Sequence, residues 1–162
     1  MMTGIQLNIT TDSPEQTLQF GQKIGRLVAS AAVFALTGDL GSGKTTLTQG
    51  IAKGLDVPDE YYITSPSYTL VNQYPGRLSL FHIDLYRIEA PDALDDIGLY
   101  DILDENGVIV IEWADKLDAG VLTEYISTHM QFVNDDARGI NLTAYGLKAK
   151  DLLKKLSNVS EP

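Results

Sequence analysis

Cysteine is absent from the 162 residues, which excludes disulfide bonds, thiolate metal sites and thiol nucleophiles. Histidine occurs only at 82 and 129, too few for a structural zinc site. Arginine is confined to positions 26, 77, 87 and 138, whereas kinases that close a basic lid over two phosphorylated substrates usually need more cationic groups. Positive charge is scarce overall: 12 basic against 22 acidic residues leave a formal net charge of −10. A broad contact surface for a phosphate backbone is therefore lacking, and any service to RNA or DNA would need a partner to hold the nucleic acid. No apolar run reaches the length of a membrane span, and the first residues lack the basic and apolar regions of a secretory signal. The expectation is a cytoplasmic protein without membrane attachment.

What the chain does carry is Gly38-Asp39-Leu40-Gly41-Ser42-Gly43-Lys44-Thr45-Thr46, a match to the phosphate-binding pattern G-x-x-x-x-G-K-[ST]. The context is right for it. Ala32 to Thr37 is an apolar run of strand length, and Leu47, Ile51 and Leu55 recur four residues apart, on one helical face. Glycines at 38, 41 and 43 allow the tight turn that points backbone N–H groups inward, and the following helix adds its N-terminal dipole. Lys44 supplies a mobile positive charge for the β and γ phosphates. Thr45 offers its hydroxyl to Mg²⁺, a hard cation that prefers oxygen and keeps several waters. Thr46 is expected on the α phosphate. The chain is thus expected to bind a nucleoside triphosphate.

At 44% hydrophobic residues, one compact domain is affordable, expected over residues 1–156 with a disordered tail from 157 to 162. Ile5 to Thr10 reads as a first strand. Ser13-Pro14-Glu15-Gln16 is a helix start, with Ser13 as N-cap, Pro14 at the first helical position and Gln16 completing a capping box. Leu55 to Ser67 has little periodicity and reads as an exposed loop. Tyr68 to Tyr74 and Leu78 to Asp84 read as strands joined at Pro75-Gly76, an antiparallel hairpin inside an otherwise α/β chain. An acidic helical stretch follows over Asp92 to Leu103. Val108 to Glu112, VIVIE, is apolar on both faces and reads as a buried parallel strand. Tyr125 to Val133 and Gly139 to Thr143 are further strands, and Leu147 to Leu156 closes the chain as a helix.

Hydrolysis needs an acid at the end of a strand beside the phosphates, to hold Mg²⁺ or to orient the attacking water. Glu112, ending VIVIE, and Asp84, on the same strand face as Leu80 and His82, both qualify. Trp113 is either a core aromatic or a contact near the nucleotide. Arg77 and Arg87 are either charge-stabilising groups or surface ion-pair partners. Arg138, or the start of the first helix, could reach the adenine. No asparagine is followed by lysine, so the guanine-reading tetrapeptide of regulatory GTPases is missing. A small ATPase is the best class. A small-molecule kinase, with Asp84 as base, and a nucleotide-regulated binding module are the alternatives.

GDLGSGKTT, the loop Ser65-Pro66-Ser67-Tyr68-Thr69-Leu70, the segment His82-Ile83-Asp84-Leu85-Tyr86-Arg87 and Ile111-Glu112-Trp113-Ala114 resemble, in order and spacing, the TsaE (YjeE) family. That family commonly has SPTFTL where this chain has SPSYTL, which keeps a hydroxyl at Ser67 and an aromatic ring at Tyr68. The resemblance implies a three-layer P-loop NTPase fold with a mixed, mainly parallel sheet and the antiparallel hairpin as an insertion. It further implies a weak, partner-dependent ATPase that acts with TsaB and TsaD, which transfer threonylcarbamoyl to adenosine 37 of tRNAs decoding ANN codons. The tRNA would be met only through that complex. By the same resemblance Thr45 and Glu112 would ligate Mg²⁺, Asp84 would sit near the γ-phosphate of ATP and its water, and Ser65 to Leu70 would act as a nucleotide-sensitive switch.

Overall fold

A computed structural model describes residues 5–66, 69–89 and 92–160. One seven-stranded sheet forms its middle layer, in the order β1-β7-β6-β2-β5-β4-β3. The strands are β1 (Ile5–Thr11), β2 (Ala32–Thr37), β3 (Val71–Tyr74), β4 (Leu80–Asp84), β5 (Val108–Glu112), β6 (Tyr125–Phe132) and β7 (Arg138–Tyr145). β6, β2, β5 and β4 pair in parallel, whereas β3 at one edge and β7 and β1 at the other pair antiparallel. Five strands thus share one direction, and β3 and β7 oppose them.

Helices α1 (Pro14–Leu27), α2 (Lys44–Gly54) and α5 (Leu147–Ser160) cover one face. The short helices α3 (Asp92–Asp96) and α4 (Leu99–Leu103) and a 3₁₀ turn at Ala114–Lys116 lie on the other. The alternation of β5 explains why its sequence is apolar throughout. Val108 and Val110 join the core beneath α1 and α2, while Ile109 and Ile111 join the core beneath α3 and α4. Burial on both faces leaves no room for a polar residue until the strand ends at Glu112.

Local chemistry sets the boundaries. Ser13 Oγ accepts from the Gln16 N–H at 3.2 Å, and Gln16 reaches back to the Asp12 N–H at 2.8 Å, one residue earlier than an ordinary capping box. The expected acidic helix is in fact two short ones, because Gly98 takes a left-handed conformation between them. The hairpin is present as β3 and β4, with Tyr74 opposite Leu80, so its connection is longer than the Pro75-Gly76 turn. The loop after α2 is exposed at Tyr61 and Tyr62 yet anchored by buried Val57 and Ile63. Residues 67 and 68, part of the expected switch segment, lie outside the described residues. α5 does not stop at Leu156. It continues through Ser160, which corrects the expected disordered tail for residues 157–160, while 161 and 162 lie outside the description.

Arg77 belongs to the scaffold rather than to charge stabilisation. Its guanidinium donates to Gly25 O at 2.6 Å and Val28 O at 2.7 Å, carbonyls left open where α1 ends. Among the described residues no helix is long and apolar enough to cross a membrane.

Candidate functional site

The phosphate loop joins the C-terminal end of β2 to the N-terminus of α2, so its backbone faces the edge where β4 and β5 also end. Gly43, the residue before α2, has φ of 104°, a left-handed conformation that a side chain would strain. Leu40 at the loop tip is exposed, whereas Ser42 is fully buried. Lys44 is folded back into the loop. Its Nζ donates to Gly38 O at 2.7 Å and Asp39 O at 2.9 Å, and lies 4.3 Å from the centre of the Trp113 ring. Burial pushes the Lys44 ammonium below its ordinary value, against the opposing pull of Glu112, Asp84, Asp115 and Asp39.

The parallel pairing of β4 with β5 sets Asp84 directly opposite Glu112. Both carboxylates are buried, at 5% and 3% exposure, which is rare for unpartnered acids and calls for hydrogen bonds. They have them. Glu112 accepts from Thr45 Oγ1 at 3.2 and 3.3 Å through its two oxygens, and Oε2 also meets His82 Nε2. Asp84 Oδ1 accepts from the Tyr86 N–H at 2.8 Å, and Oδ2 from the Ser65 hydroxyl. The Ser65 contact ties the loop before β3 to the acid at the end of β4. The same loop is held on α2 by Gln49 Nε2, which donates to Ile63 O at 2.8 Å.

Trp113 follows Glu112 with φ of 60°, uncommon for a bulky residue and a local cost that packing must offset. The turn brings its indole beneath Lys44 and against Tyr86, ring centres 4.9 Å apart. Trp113 is thus a contact of the phosphate loop.

Arg138, expected near adenine, is committed to the loop's backbone. Its Nε donates to Ser42 O at 3.1 Å, Nη2 lies 3.5 Å from Gly41 O, and Nη1 serves the carbonyls of Asn134, Asp135 and Ala137. Its guanidinium also stacks 4.4 Å over Phe132. With its donors so engaged, Arg138 clamps the β6–β7 turn to the phosphate loop. Nothing in the spacing links positions 42 and 138, so this tie leaves no mark in the sequence. His82 is a further site residue not among those expected, and its one sequence signal is alternation from Asp84.

The oxygen donors fit Mg²⁺. Thr45 and Glu112 converge within hydrogen-bond distance, and no group of three or more His, Cys, Asp or Glu among the described residues could hold a metal by itself. Magnesium in phosphate sites takes one or two protein oxygens and completes its shell with phosphate and water. A cleft of about 630 Å³ lies elsewhere, near the starts of β2, β5 and β6. None of the phosphate-loop residues lines it, and its walls mix Lys148 and Lys155 with Asp104 and Glu105, without converging on one chemistry.

A family model described as "Threonylcarbamoyl adenosine biosynthesis protein TsaE" matches residues 11–140. The chain is 35% identical over 145 residues to the tRNA threonylcarbamoyladenosine biosynthesis protein TsaE of Nostoc sp., covering 86% of each. It is 35% identical over 153 residues to the protein of that name from Bacillus subtilis, covering 94% of each. The Treponema pallidum protein of that name is 40% identical over 116 residues, which is 72% of this chain and 84% of that one. Among solved structures, YdiB of Bacillus subtilis superposes with a TM-score of 0.79 at 31% identity, covering 99% of this chain and 100% of that one. The three-layer fold with its mixed sheet is shared.

Proposed function

Since the chain belongs to the TsaE family of threonylcarbamoyladenosine biosynthesis proteins, we propose that it is a Mg²⁺-dependent ATPase whose turnover serves tRNA modification in company with TsaB and TsaD. The observation that carries this reading is the convergence of Lys44, Thr45, Asp84 and Glu112 at the ends of β2, β4 and β5. A bound Mg²⁺ would neutralise charge developing on the phosphates. Thr45 and Glu112 are the protein oxygens that would hold it. Lys44, now bonded to the loop carbonyls, would turn its ammonium to the β and γ phosphates. Asp84, kept in place by Ser65 and the Tyr86 N–H, would orient the water that attacks the γ-phosphate. Ser65 and Thr69 belong to a loop that would report occupancy to partners through that bond. The net charge of −10 is consistent with leaving tRNA to the partner proteins.

The test is phosphate release from ATP by the purified chain, alone and with TsaB and TsaD, followed by a screen for phosphorylated metabolites. Free phosphate, increased by the partners, supports the ATPase. A phosphorylated small molecule would instead establish a kinase, and bound ATP that survives a single-turnover assay with both partners would establish a binding module.

The lowered Lys44 pKa gives the site a pH signature. In the window between that lowered value and the ordinary one, the unfolded chain binds more protons than the folded one, so folding stability contributed by Lys44 rises with pH. Phosphate has the opposite effect on the side chain, because its negative charge favours the ammonium. ADP binding within that window is therefore expected to take up protons, and to weaken as pH rises further. Calorimetry in two buffers of different ionisation heat measures the uptake. Equal apparent heats in both buffers would rule out this role for Lys44.

A further inference from the structure

Glu112 is held by two side chains, Thr45 and a histidine. Alternation along β4 turns His82 onto the same sheet face as Asp84, and the parallel register sets it opposite Val110, two residues before Glu112. Its ring is fully buried and its Nε2 meets Glu112 Oε2, while Nδ1 is buried without a hydrogen-bond partner. A buried N–H with no acceptor is rarer and costlier than a bare ring nitrogen. The ring proton is accordingly assigned to Nε2, where the carboxylate accepts it.

We infer that His82 is a positioning residue whose Nε2–H holds Glu112 in the orientation that serves Mg²⁺. The inference rests on the metal reading given under Proposed function. A terminal carboxylate torsion is broad and roughly two-fold. Free Glu112 would therefore sample many orientations at the strand end. The His82 bond removes that freedom before any ligand arrives, fixing Oε2 with Oε1 and Oε2 at 3.2 and 3.3 Å from Thr45 Oγ1. Carboxylates that ligate metals are themselves hydrogen-bonded, and losing such a partner typically lowers metal affinity about 10- to 100-fold. A histidine that merely fills the core would leave metal affinity untouched and act on stability alone.

Two polar substitutions separate these roles. The side-chain nitrogen of glutamine reaches the position of ring Nε2, whereas that of asparagine stops one bond short, near Nδ1. In the full chain, ADP affinity is titrated against Mg²⁺ by calorimetry, with ADP affinity in EDTA and thermal unfolding measured in parallel. His82→Asn is expected to raise the half-saturating Mg²⁺ about 10- to 100-fold, and His82→Gln to restore it to within about threefold of the parent. Affinity in EDTA should stay at the parent level in both. His82→Leu supplies the same arm as His82→Asn should the latter not fold.

If both His82 variants match the parent in Mg²⁺ requirement while Glu112→Gln raises it, the inference is overturned and the metal reading stands. An equal rise for Asn and Gln also overturns it, because the effect would then not depend on a donor at the Nε2 position. ADP affinity of the parent chain that does not respond to Mg²⁺ overturns the metal reading itself, and the inference with it.

Discussion

Replacing Lys44 by alanine is expected to lower phosphate release from ATP at least about 100-fold, the loss typical when one preorganised charge is removed from a reacting group. The side chain is 5% exposed and its ammonium is held by Gly38 O, Asp39 O and the Trp113 ring. In water a single lysine-phosphate contact is worth little, but in a site walled by Trp113 and the strand ends it is much less screened. The fold should survive the substitution, because burial already disfavours the Lys44 charge and its loss relieves that cost. Lys44→Arg should not rescue turnover, since a planar fork does not substitute for a compact ammonium inside the loop. Circular dichroism confirms folding, and single-turnover phosphate release gives the effect. A Lys44→Ala protein retaining more than about a tenth of parental turnover would sink the catalytic reading.

The second large effect concerns stability, and its sign is opposite to what helix propensity suggests. Gly50 lies inside α2, where alanine would ordinarily be favoured by about 1 kcal/mol. Here a Cβ would fall 2.2 Å from Leu18 O and 2.9 Å from Gly21 Cα, both backbone atoms of α1. Gly21 makes the reciprocal approach, with its Cβ position 2.4 Å from Leu47 O. The two helices therefore touch backbone to backbone, and neither surface can yield by rotating a side chain. Gly50→Ala must push α1 and α2 apart across the core that Ile24, Leu47 and Ile51 fill. We expect a net loss of about 3 kcal/mol, which for a chain of this size lowers Tm by roughly 6–12 °C. Nucleotide affinity should fall as well, because α2 carries Lys44 and Thr45 at its first turn. Thermal unfolding of Gly50→Ala beside the exposed control Lys53→Ala settles it. A Gly50 variant as stable as the parent would mean that the helices are not in close contact.

That contact has a local trace in the chain. Gly21 and Gly25 on α1, and Gly50 and Gly54 on α2, are each four residues apart, a spacing that puts small residues on one helix face. The spacing says that a face is small, but not which helix lies against it. His82 is a similar case. Alternation put it on the face of Asp84, but only the register of β4 against β5 brings it to Glu112. Arg138 is the opposite extreme, since its tie to Ser42 spans 96 positions and leaves no periodic trace.

The phosphate-loop motif, the strand that precedes it, the helix that follows and the buried strand ending in Glu112 are legible in the chain alone. Each of these is a local pattern: glycines where the backbone must turn, apolar residues at the period of the element they form, and an acid where a buried strand meets the surface. Packing of the whole sheet places β4 beside β5 in parallel, so that Asp84 and His82 gather around Glu112, which meets Thr45. It also decided that Arg138 braces the loop while Arg77 serves the end of α1. The reason is physical. Side-chain period and turn chemistry act over a few residues and are written locally, whereas strand order and register follow from burying both faces of one sheet at once. That global constraint fixes which distant residues meet.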